Sequence, residues 1–446
     1  MRPPLLPPAV DTMLSMPIER CFGRISEAQG LCASVEGLSP LARLGDRIDI
    51  DADDGAIEAE VIAISDDLVR AYAAAPLAGI RIGARASLSP AARARPSRAW
   101  IGSVLDAYGR LSDGRQAPDG DRASPLDGAA LPAARRKRLG ARIGTGLCAF
   151  DAFLPICKGQ RIGVFAGPGV GKSMLLADLA RNIDADVSII ALIGERGREV
   201  RAFVEDVLGP EGLSRSVVIA TTSDQPALLK RRGAQLAMTA AEHFRDQGAH
   251  VLLVFDSLTR FADAHREIAL AAGEPASLHA YPPSTFRAIA GLAERAGPGA
   301  VGSGDITAVF SVLVAGSDMN EPVADIVRGV LDGHIVLERT IAERGRFPAI
   351  DLSRSVSRSL PGAASAEENA LIAAARAHFS AYEDAETIVR AGLYSAGADP
   401  KVDAALKVWP ALDRFLSERA SGPEAAFARL REILGAGQPP SPRTVP

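Results

Sequence analysis

The chain has 446 residues, of which 47% are hydrophobic and 23% are charged, and its formal net charge is −4. This is the composition of a globular protein with enough apolar material for a large core, and the length predicts roughly three domains at about 150 residues each. A global basic field is excluded, so the composition gives no case for a nucleic-acid-binding protein.

The N-terminal part of the chain predicts an arm followed by a small β domain. Residues 1–18 are proline-rich and lack the continuous apolar core of a signal peptide, so we expect a flexible arm. From 19 to 89, short apolar segments alternate with turns, and Val or Ile recurs at every second position in places, as in IDIDA. This alternation predicts an antiparallel β-barrel over 19–89, followed by a linker at 90–98.

The second region, from 99 to 360, alternates short apolar runs with stretches of helical length, which predicts a mostly parallel sheet covered on both faces. The predicted strands are RIGVFAG (161–167), DVSIIALIG (186–194), SVVIAT (216–221), HVLLVFD (250–256) and ITAVFSVLV (306–314). Residues 361–435 are alanine-rich and predict helices, and the proline-rich end at 436–446 predicts a disordered tail.

Nothing in the sequence points to an export route or to a membrane span. The longest apolar runs are far shorter than the roughly 20 residues that cross a bilayer. The four cysteines are scattered and form no CxxC pair, which indicates reduced thiols rather than a disulfide framework or a zinc site. We therefore expect a soluble, cytoplasmic protein.

The stretch FAGPGVGKS at 165–173 has the pattern of a phosphate-binding loop, with Ala in place of the first Gly. It follows a predicted strand and precedes a helical stretch, which is the context that such a loop requires. Its glycines let successive backbone N–H groups face an anion, and the helix N-terminus adds a favourable dipole. The residues predicted to bind the nucleotide phosphates are Gly167, Pro168, Gly169, Val170, Gly171, Lys172 and Ser173.

Three side chains predict a site for nucleotide phosphates and Mg²⁺. Lys172 would reach the terminal phosphates, and the Ser173 hydroxyl would ligate Mg²⁺. Asp256 ends an apolar strand, so it is expected at the carboxyl edge of the sheet, where ligands bind in open α/β folds. We predict that Asp256 holds Mg²⁺ through a water molecule.

A further predicted strand, DVSIIALIG, also ends on charged residues, in the segment ERGRE at 195–199. A carboxylate at such a strand end, facing the γ-phosphate, would orient the attacking water. Spacing alone does not decide between Glu195 and Glu199 for this role.

Several motifs in order along the chain resemble the catalytic subunits of the rotary ATP synthases and their relatives, the ATPases of type III protein export. The segment TGLCAFDAFLPICKGQRIGVFAGPGVGKS is similar to the entry to the nucleotide domain of this family. Five further segments resemble the export branch, and especially the flagellum-specific ATPases: SVLDAYGRLSDG, ALIGERGREV, DSLTRFADAHREIALAAGEP, YPPSTF and DMNEPVADIVRGVLDGHIVLER.

This resemblance implies an α/β fold with a RecA-like P-loop core at 99–360, an N-terminal β-barrel and a C-terminal helical domain. It also implies roles for three side chains. In the GER motif of the family the glutamate is the catalytic carboxylate that polarises water, which assigns this role to Glu195. Arg196 is expected near the γ-phosphate, and Arg260 is expected to support the same site.

The segment SVSR at 355–358 is similar to the arginine-finger segment of the family. Arg358 would reach the site of the neighbouring subunit, where a guanidinium stabilises the charge that spreads over the γ-phosphoryl oxygens. Arg354, four residues earlier, is a competing candidate. A chain that carries both the loop and the finger predicts a ring, most simply a homohexamer, in which each interface completes an active site.

The favoured function is a Mg-dependent ATP hydrolase that energises the export of flagellar proteins, with the injectisome ATPase as the alternative. By resemblance, its partners would be a stator-like regulator, a central stalk protein, the export gate and export chaperones, with no nucleic acid. Members of the family associate peripherally with membranes, so we expect a cytoplasmic protein at the cytoplasmic face of the inner membrane.

Two other functions fit the sequence less well. An RNA-translocating hexamer, such as the transcription terminator, would need aromatic and basic residues in its N-terminal domain, but 19–88 contains only Phe22 and Tyr72 as aromatic residues. A scaffold that binds nucleotide without turnover would need no carboxylate to activate water. The basic run RRKR at 135–138 is interpreted as a solvated linker rather than a patch for nucleic acid or acidic lipid, and the six histidines show no ligand spacing.

Overall fold

The computed structural model describes residues 21–277, 281–314 and 319–436. The predicted arm at 1–18 lies outside the described residues, as does the predicted tail apart from Ala436. The described residues form two compact units: one contains residues 21–93 together with Pro226–Leu229 and the described part of 264–282, and the other contains the remaining described residues.

The first unit is built around a closed six-stranded antiparallel barrel with the strand order β1-β2-β5-β4-β3-β6. In β3 the side chains of Ile48 and Ile50 are fully buried while the aspartates between and after them are not, so the period-two pattern confirms the predicted barrel. The strands are β1 (Phe22–Gln29), β2 (Cys32–Glu36), β3 (Arg47–Ala52), β4 (Gly55–Ile64), β5 (Leu68–Ala73) and β6 (Arg85–Ser89).

The second unit contains a large, mostly parallel sheet with the order β19-β18-β12-β17-β15-β13-β14-β8, in which only β19 and the short β16 run antiparallel. The strands that follow the barrel are β7 (Arg93–Ala94), β8 (Ser103–Leu105), β9 (Ser124–Pro125), β10 (Arg142–Ile143), β11 (Ile156–Cys157), β12 (Arg161–Ala166), β13 (Val187–Glu195), β14 (Ser216–Thr222), β15 (His250–Asp256), β16 (Gly297–Pro298), β17 (Asp305–Leu313), β18 (Gly333–Leu337) and β19 (Ile350–Ser357).

The five predicted strands of this sheet are confirmed as β12, β13, β14, β15 and β17. All seven residues of β15 are buried, because a central parallel strand is covered on both faces and therefore reads as a continuous apolar run. The sequence did not reveal β8, β18 and β19, which lie toward the edges of the sheet. They are short or carry exposed positions, so their apolar runs are interrupted.

Helices cover this sheet and form the C-terminal part of the chain, as predicted. The longest begins with a reciprocal capping box between Ser365 and Glu368, and its Phe379 packs edge-on against Phe153 with ring centroids 5.9 Å apart. The helices are α1 (Lys172–Asn182), α2 (Gly197–Ala202), α3 (Gly209–Ser214), α4 (Ala227–Asp246), α5 (Leu258–Ala271), α6 (Pro283–Arg295), α7 (Pro322–Val330), α8 (Arg339–Glu343), α9 (Ala366–Arg390), α10 (Pro400–Phe415) and α11 (Pro423–Ala436). Among the described residues, none of the helices has the length and apolarity needed to cross a bilayer.

The interpretation of the basic run at 135–138 as a solvated linker is wrong for its two central residues. The Arg136 guanidinium donates to the carbonyl oxygens of Leu131, Glu294 and Ala296, and its side chain is only 14% exposed. The ammonium group of Lys137 contacts the carboxylate of Asp305 at 2.9 Å. These two side chains therefore hold the segment against the rest of its own unit.

This contact predicts a difference in stability between two neighbouring arginines. Arg136→Ala is expected to lower the free energy of unfolding by about 1–3 kcal/mol, because partly buried carbonyl oxygens lose a charged donor. Arg138→Ala, at an exposed position, is the matched control and should change the free energy by no more than about 0.5 kcal/mol. Urea titration of both variants measures the difference, and equal midpoints would contradict the assigned contacts.

Candidate active site

The carboxyl ends of three parallel strands place the predicted site residues at one edge of the sheet. The phosphate loop follows β12 directly, Glu195 is the last residue of β13, and Asp256 is the last residue of β15. The strand β17 lies between β12 and β15 and pairs with both. Parallel strands end at a common edge, so residues far apart in sequence meet there.

The loop has the backbone that a phosphate cradle needs. Gly169 and Gly171 have φ values of 76° and 87°, a left-handed conformation that other residues rarely adopt. Val170 between them is buried and anchors the loop, while Pro168 and Gly169 are exposed. The 11-residue helix α1 begins at Lys172, so its free N–H groups face the loop, with Ser173 exposed in its first turn.

One lysine connects the two carboxylates of the site. The Lys172 ammonium forms an ion pair with Oδ1 of Asp256 and lies 3.7 Å from Oε1 of Glu195. The side chains are 12%, 3% and 19% exposed, respectively, so the three charges are largely shielded from water. The predicted Lys172, Glu195 and Asp256 are therefore brought together.

Glu195 and Glu199, which spacing left open, have different surroundings. Glu199 is exposed on the following helix, where it pairs with Arg196 at 2.9 Å and hydrogen-bonds to the Glu195 carboxyl, whereas Glu195 also faces Lys172. Burial raises the pKa of the Glu195 carboxyl to about 7, and the neighbouring Asp256 carboxylate adds to this rise while Lys172 opposes it. A carboxyl group with a pKa near neutrality, close to the phosphate loop, is suited to proton transfer.

Of the three predicted arginines, Arg196 and Arg260 lie near the end of β13. Arg196 is 67% exposed and bound to Glu199 rather than directed at the loop. The stem of Arg260 packs on Gly194, next to Glu195, so closely that a Cβ at Gly194 would lie 3.1 Å from it. Arg260 is thus near the site, and its half-exposed guanidinium lies 3.7 Å from Asp263.

Arg358 and the phosphate loop lie at opposite ends of the strands of the sheet. It directly follows β19, whose end pairs with Gly333 at the start of β18, whereas the end of β18 pairs with the end of the loop strand β12. Its guanidinium donates to the Arg328 carbonyl at 3.2 Å, whereas Arg354 forms an ion pair with Glu338. The structure does not bring Arg358 to the site of its own chain.

Two residues at the site were missed by the sequence reasoning. Ser311, buried in β17, donates to Oδ1 of Asp256 at 2.6 Å. Its signal in the sequence was a lone hydroxyl between the apolar pairs Val309–Phe310 and Val312–Leu313. Phe347 is 51% exposed and lies beside Gly171, where an added Cβ would meet its ring at 3.0 Å. No local pattern marks Phe347.

The donor set fits Mg²⁺ held together with phosphate. Within the described ranges, no group of three or more His, Cys, Asp and Glu side chains could hold a metal ion by itself. The site offers one hydroxyl, that of Ser173 in the first turn of α1, and one carboxylate, that of Asp256 at the end of β15, which leaves most positions around a metal ion to water and phosphate oxygens. Mg²⁺ is commonly bound in this way, through one or two protein oxygens plus substrate phosphates.

Two family models match the chain. The ATP synthase alpha/beta family nucleotide-binding domain matches residues 146–357. The T3SS EscN ATPase C-terminal domain matches residues 364–432. Together they cover the large sheet except β8, the phosphate loop and most of the C-terminal helices.

Curated relatives and solved structures agree with these matches. The chain is 44% identical over 424 residues to the flagellum-specific ATP synthase of Caulobacter vibrioides, covering 93% of this chain and 96% of that protein. It is 41% identical to that of Salmonella typhimurium, covering 91% of each chain. Its structure is similar to the assembled ATPase EscN of the enteropathogenic E. coli type III secretion system, with a TM-score of 0.86 and 36% identity over 92% of this chain and 100% of that one. EscN in complex with its central stalk EscO matches with a TM-score of 0.83, 36% identity and the same coverage.

Proposed function

This chain belongs to the ATP synthase alpha/beta family and, within it, to the flagellum-specific ATP synthases, and from this premise we propose that it hydrolyses Mg-ATP to energise the export of flagellar proteins through a type III apparatus. The observation that carries the proposal is the meeting of Lys172 with both Glu195 and Asp256 at the end of a phosphate loop. A binding scaffold would have no need of a buried carboxyl group beside the γ-phosphate position.

Binding of ATP would rearrange the charges of the site. Lys172 would leave Asp256 and reach the β- and γ-phosphates, while the loop N–H groups surround the phosphate oxygens. Ser173 and Asp256 would then hold Mg²⁺, which when bound neutralises the charge on the β- and γ-phosphate oxygens. Phe347, half-exposed beside the loop, offers an aromatic face on which the base would stack.

Hydrolysis would depend on Glu195. Its carboxylate would accept a hydrogen bond from the attacking water and orient that water in line with the γ-phosphate. Arg260, packed beside Gly194, is placed to support the same region, and Arg196 would have to release Glu199 to approach the phosphates. The remaining positive charge is expected from another subunit.

A ring assembly follows from the position of Arg358. Since its own loop lies at the opposite end of the strands, the arginine would serve the loop of a neighbouring copy. A repeated head-to-tail contact of this kind forms a ring when the rotation between neighbouring copies closes. We propose a homohexamer, and the assembled EscN, which this chain resembles, supports an assembly of several copies.

The partners and the location belong to the same proposal. A central stalk is supported by the solved complex of EscN with its stalk EscO. A stator-like regulator, the export gate and export chaperones are proposed from family membership, as is a position at the cytoplasmic face of the inner membrane. The injectisome ATPase remains the second candidate because of the likeness to EscN. Deletion of the gene separates the two, since loss of swimming supports the flagellar function and normal swimming excludes it.

The test of ATP hydrolysis is phosphate release from Mg-ATP as a function of protein concentration. If each site is completed between two copies, specific activity should rise with concentration and then reach a plateau when the rings are formed. Sedimentation on the same samples provides the matching measure of assembly. Absence of phosphate release at every concentration would overturn the proposal that the chain alone forms complete sites.

The pKa of Glu195 predicts the pH dependence of this activity. The reaction needs the carboxylate, so kcat/KM should be constant above pH 7 and fall about tenfold per pH unit well below it. Binding of Mg-ATP, measured over the same pH range, controls for protonation of the substrate phosphates. A value of kcat/KM that stays constant from pH 8 to pH 5.5 would contradict the assigned role.

A further inference from the structure

The hydroxyl of Ser311 is buried in the middle of the sheet, where a polar group is costly. Ser311 has no exposed surface, and it interrupts an otherwise apolar stretch of β17. An unbonded hydroxyl in such surroundings would cost free energy, so the position favours serine over alanine only if the hydroxyl has a partner. Its partner is Oδ1 of Asp256, at 2.6 Å.

This hydrogen bond is directed at the residue that the proposed function places on Mg²⁺. Ser311 follows the cross-strand pair of Phe310 with Phe255, and it therefore lies next to Asp256 at the end of β15. On its other side it pairs with Val164 of β12, the strand that leads into the phosphate loop. A hydroxyl-to-carboxylate bond of this length is charge-assisted and among the stronger hydrogen bonds of proteins.

Lys172 and Ser311 share the same oxygen of Asp256. ATP would draw Lys172 toward its phosphates, but Ser311 has no exposed surface and is fixed within the sheet, so it would not follow. The rotation of an aspartate carboxylate about its last bond is broad unless a partner limits it. Ser311 is therefore the contact that would persist when the ion pair with Lys172 breaks.

We propose that Ser311 is a positioning residue, whose hydroxyl holds the Asp256 carboxylate in the orientation that receives Mg²⁺ as Lys172 moves to the phosphates. This inference rests on the proposed function, because it assigns Asp256 to the metal. Ser311 would act through Asp256 and would touch neither the metal nor the nucleotide.

The test uses Mn²⁺ as a paramagnetic substitute for Mg²⁺ and the full chain with saturating AMP-PNP. Electron paramagnetic resonance gives the dissociation constant of Mn²⁺. Ser311→Ala is expected to raise this constant about tenfold, because a tenfold change corresponds to the partial loss of one charge-assisted hydrogen bond. Affinity for AMP-PNP in the presence of EDTA should stay at the wild-type value, because the phosphate loop is unchanged. Ser311→Thr retains the hydroxyl and should restore Mn²⁺ binding.

A second buried hydroxyl on the same strand is the matched control. Thr307 accepts from the Gly159 N–H at 2.9 Å and contacts His250, near the opposite end of β17. Thr307→Val should lower the unfolding midpoint without changing the Mn²⁺ dissociation constant. Equal weakening of Mn²⁺ binding in Thr307→Val, or unchanged binding in Ser311→Ala, would overturn the positioning role. Failure of the wild-type chain to bind Mn²⁺ with AMP-PNP would instead overturn the proposed function, and this inference with it.

Discussion

Glu195→Gln is expected to lower kcat for ATP hydrolysis by about 10²- to 10⁴-fold while Mg-ATP still binds, because the amide cannot accept the proton of the attacking water. The side chain keeps its size and its place at the end of β13, so the loop and Lys172 should be little disturbed. Single-turnover phosphate release measures the chemical step, and a fluorescent ATP analogue measures binding.

Glu199→Gln is the matched control for this variant. Glu199 is the second glutamate of the same segment; it is exposed, pairs with Arg196 and hydrogen-bonds to Glu195. A glutamine can keep the hydrogen bond to Glu195, so kcat at pH 8 should stay within a few-fold of the wild-type value, while the pKa of Glu195 falls because a neighbouring negative charge is lost. If Glu199→Gln were the inactive variant and Glu195→Gln the active one, the assignment of the catalytic carboxylate would be reversed.

Arg358→Ala is expected to lower kcat by about 10³- to 10⁵-fold, because the γ-phosphoryl group loses the guanidinium that stabilises its charge. The loss should occur in assembled rings, since Arg358 is exposed and its own guanidinium contacts only a carbonyl oxygen among the described residues. Nucleotide binding by the isolated chain should be unaffected. Arg354→Ala is the control, because Arg354 pairs with Glu338 within its own chain.

Mixing two inactive variants tests whether Arg358 acts on a neighbouring copy. Lys172→Ala rings lack a working loop, and Arg358→Ala rings lack the finger. In rings formed from an equal mixture, about a quarter of the head-to-tail interfaces would combine an intact loop with an intact finger. Activity should therefore reappear after the two variants are mixed, dissociated by dilution or unfolding, and allowed to reassemble into mixed rings. Mixed rings that remain as inactive as either variant alone would show that Arg358 does not complete a neighbour's site.

The sequence was informative wherever function depends on local backbone and on buried central strands. The phosphate loop was recognisable because its left-handed positions require glycine and because it lies between a strand and a helix. Glu195 and Asp256 were recognisable because each ends a strand that is buried on both faces. The strands β18 and β19, at one side of the sheet, gave no such signal, since β18 has only five residues and exposed positions interrupt β19.

The sequence misled where a charged residue has partners that are distant along the chain. Arg136 and Lys137 were interpreted as solvated because they lie in a connection rich in proline and alanine. Their partners are the carbonyl of Ala296, the carboxylate of Asp305 and other groups more than a hundred residues away. No pattern of spacing encodes such a contact. The burial of a charged side chain by distant residues therefore cannot be predicted from the sequence around it.

By itself, the sequence determined the fold class, the phosphate loop and the identity of the family, because these depend on residue types at short, fixed spacings. Only the tertiary structure decided that Lys172 lies between Asp256 and Glu195, that Ser311 holds Asp256, and that Arg358 faces away from its own loop. These relations depend on the order in which the strands lie side by side. That order is set by the packing of the whole sheet, and no short stretch of the chain contains it.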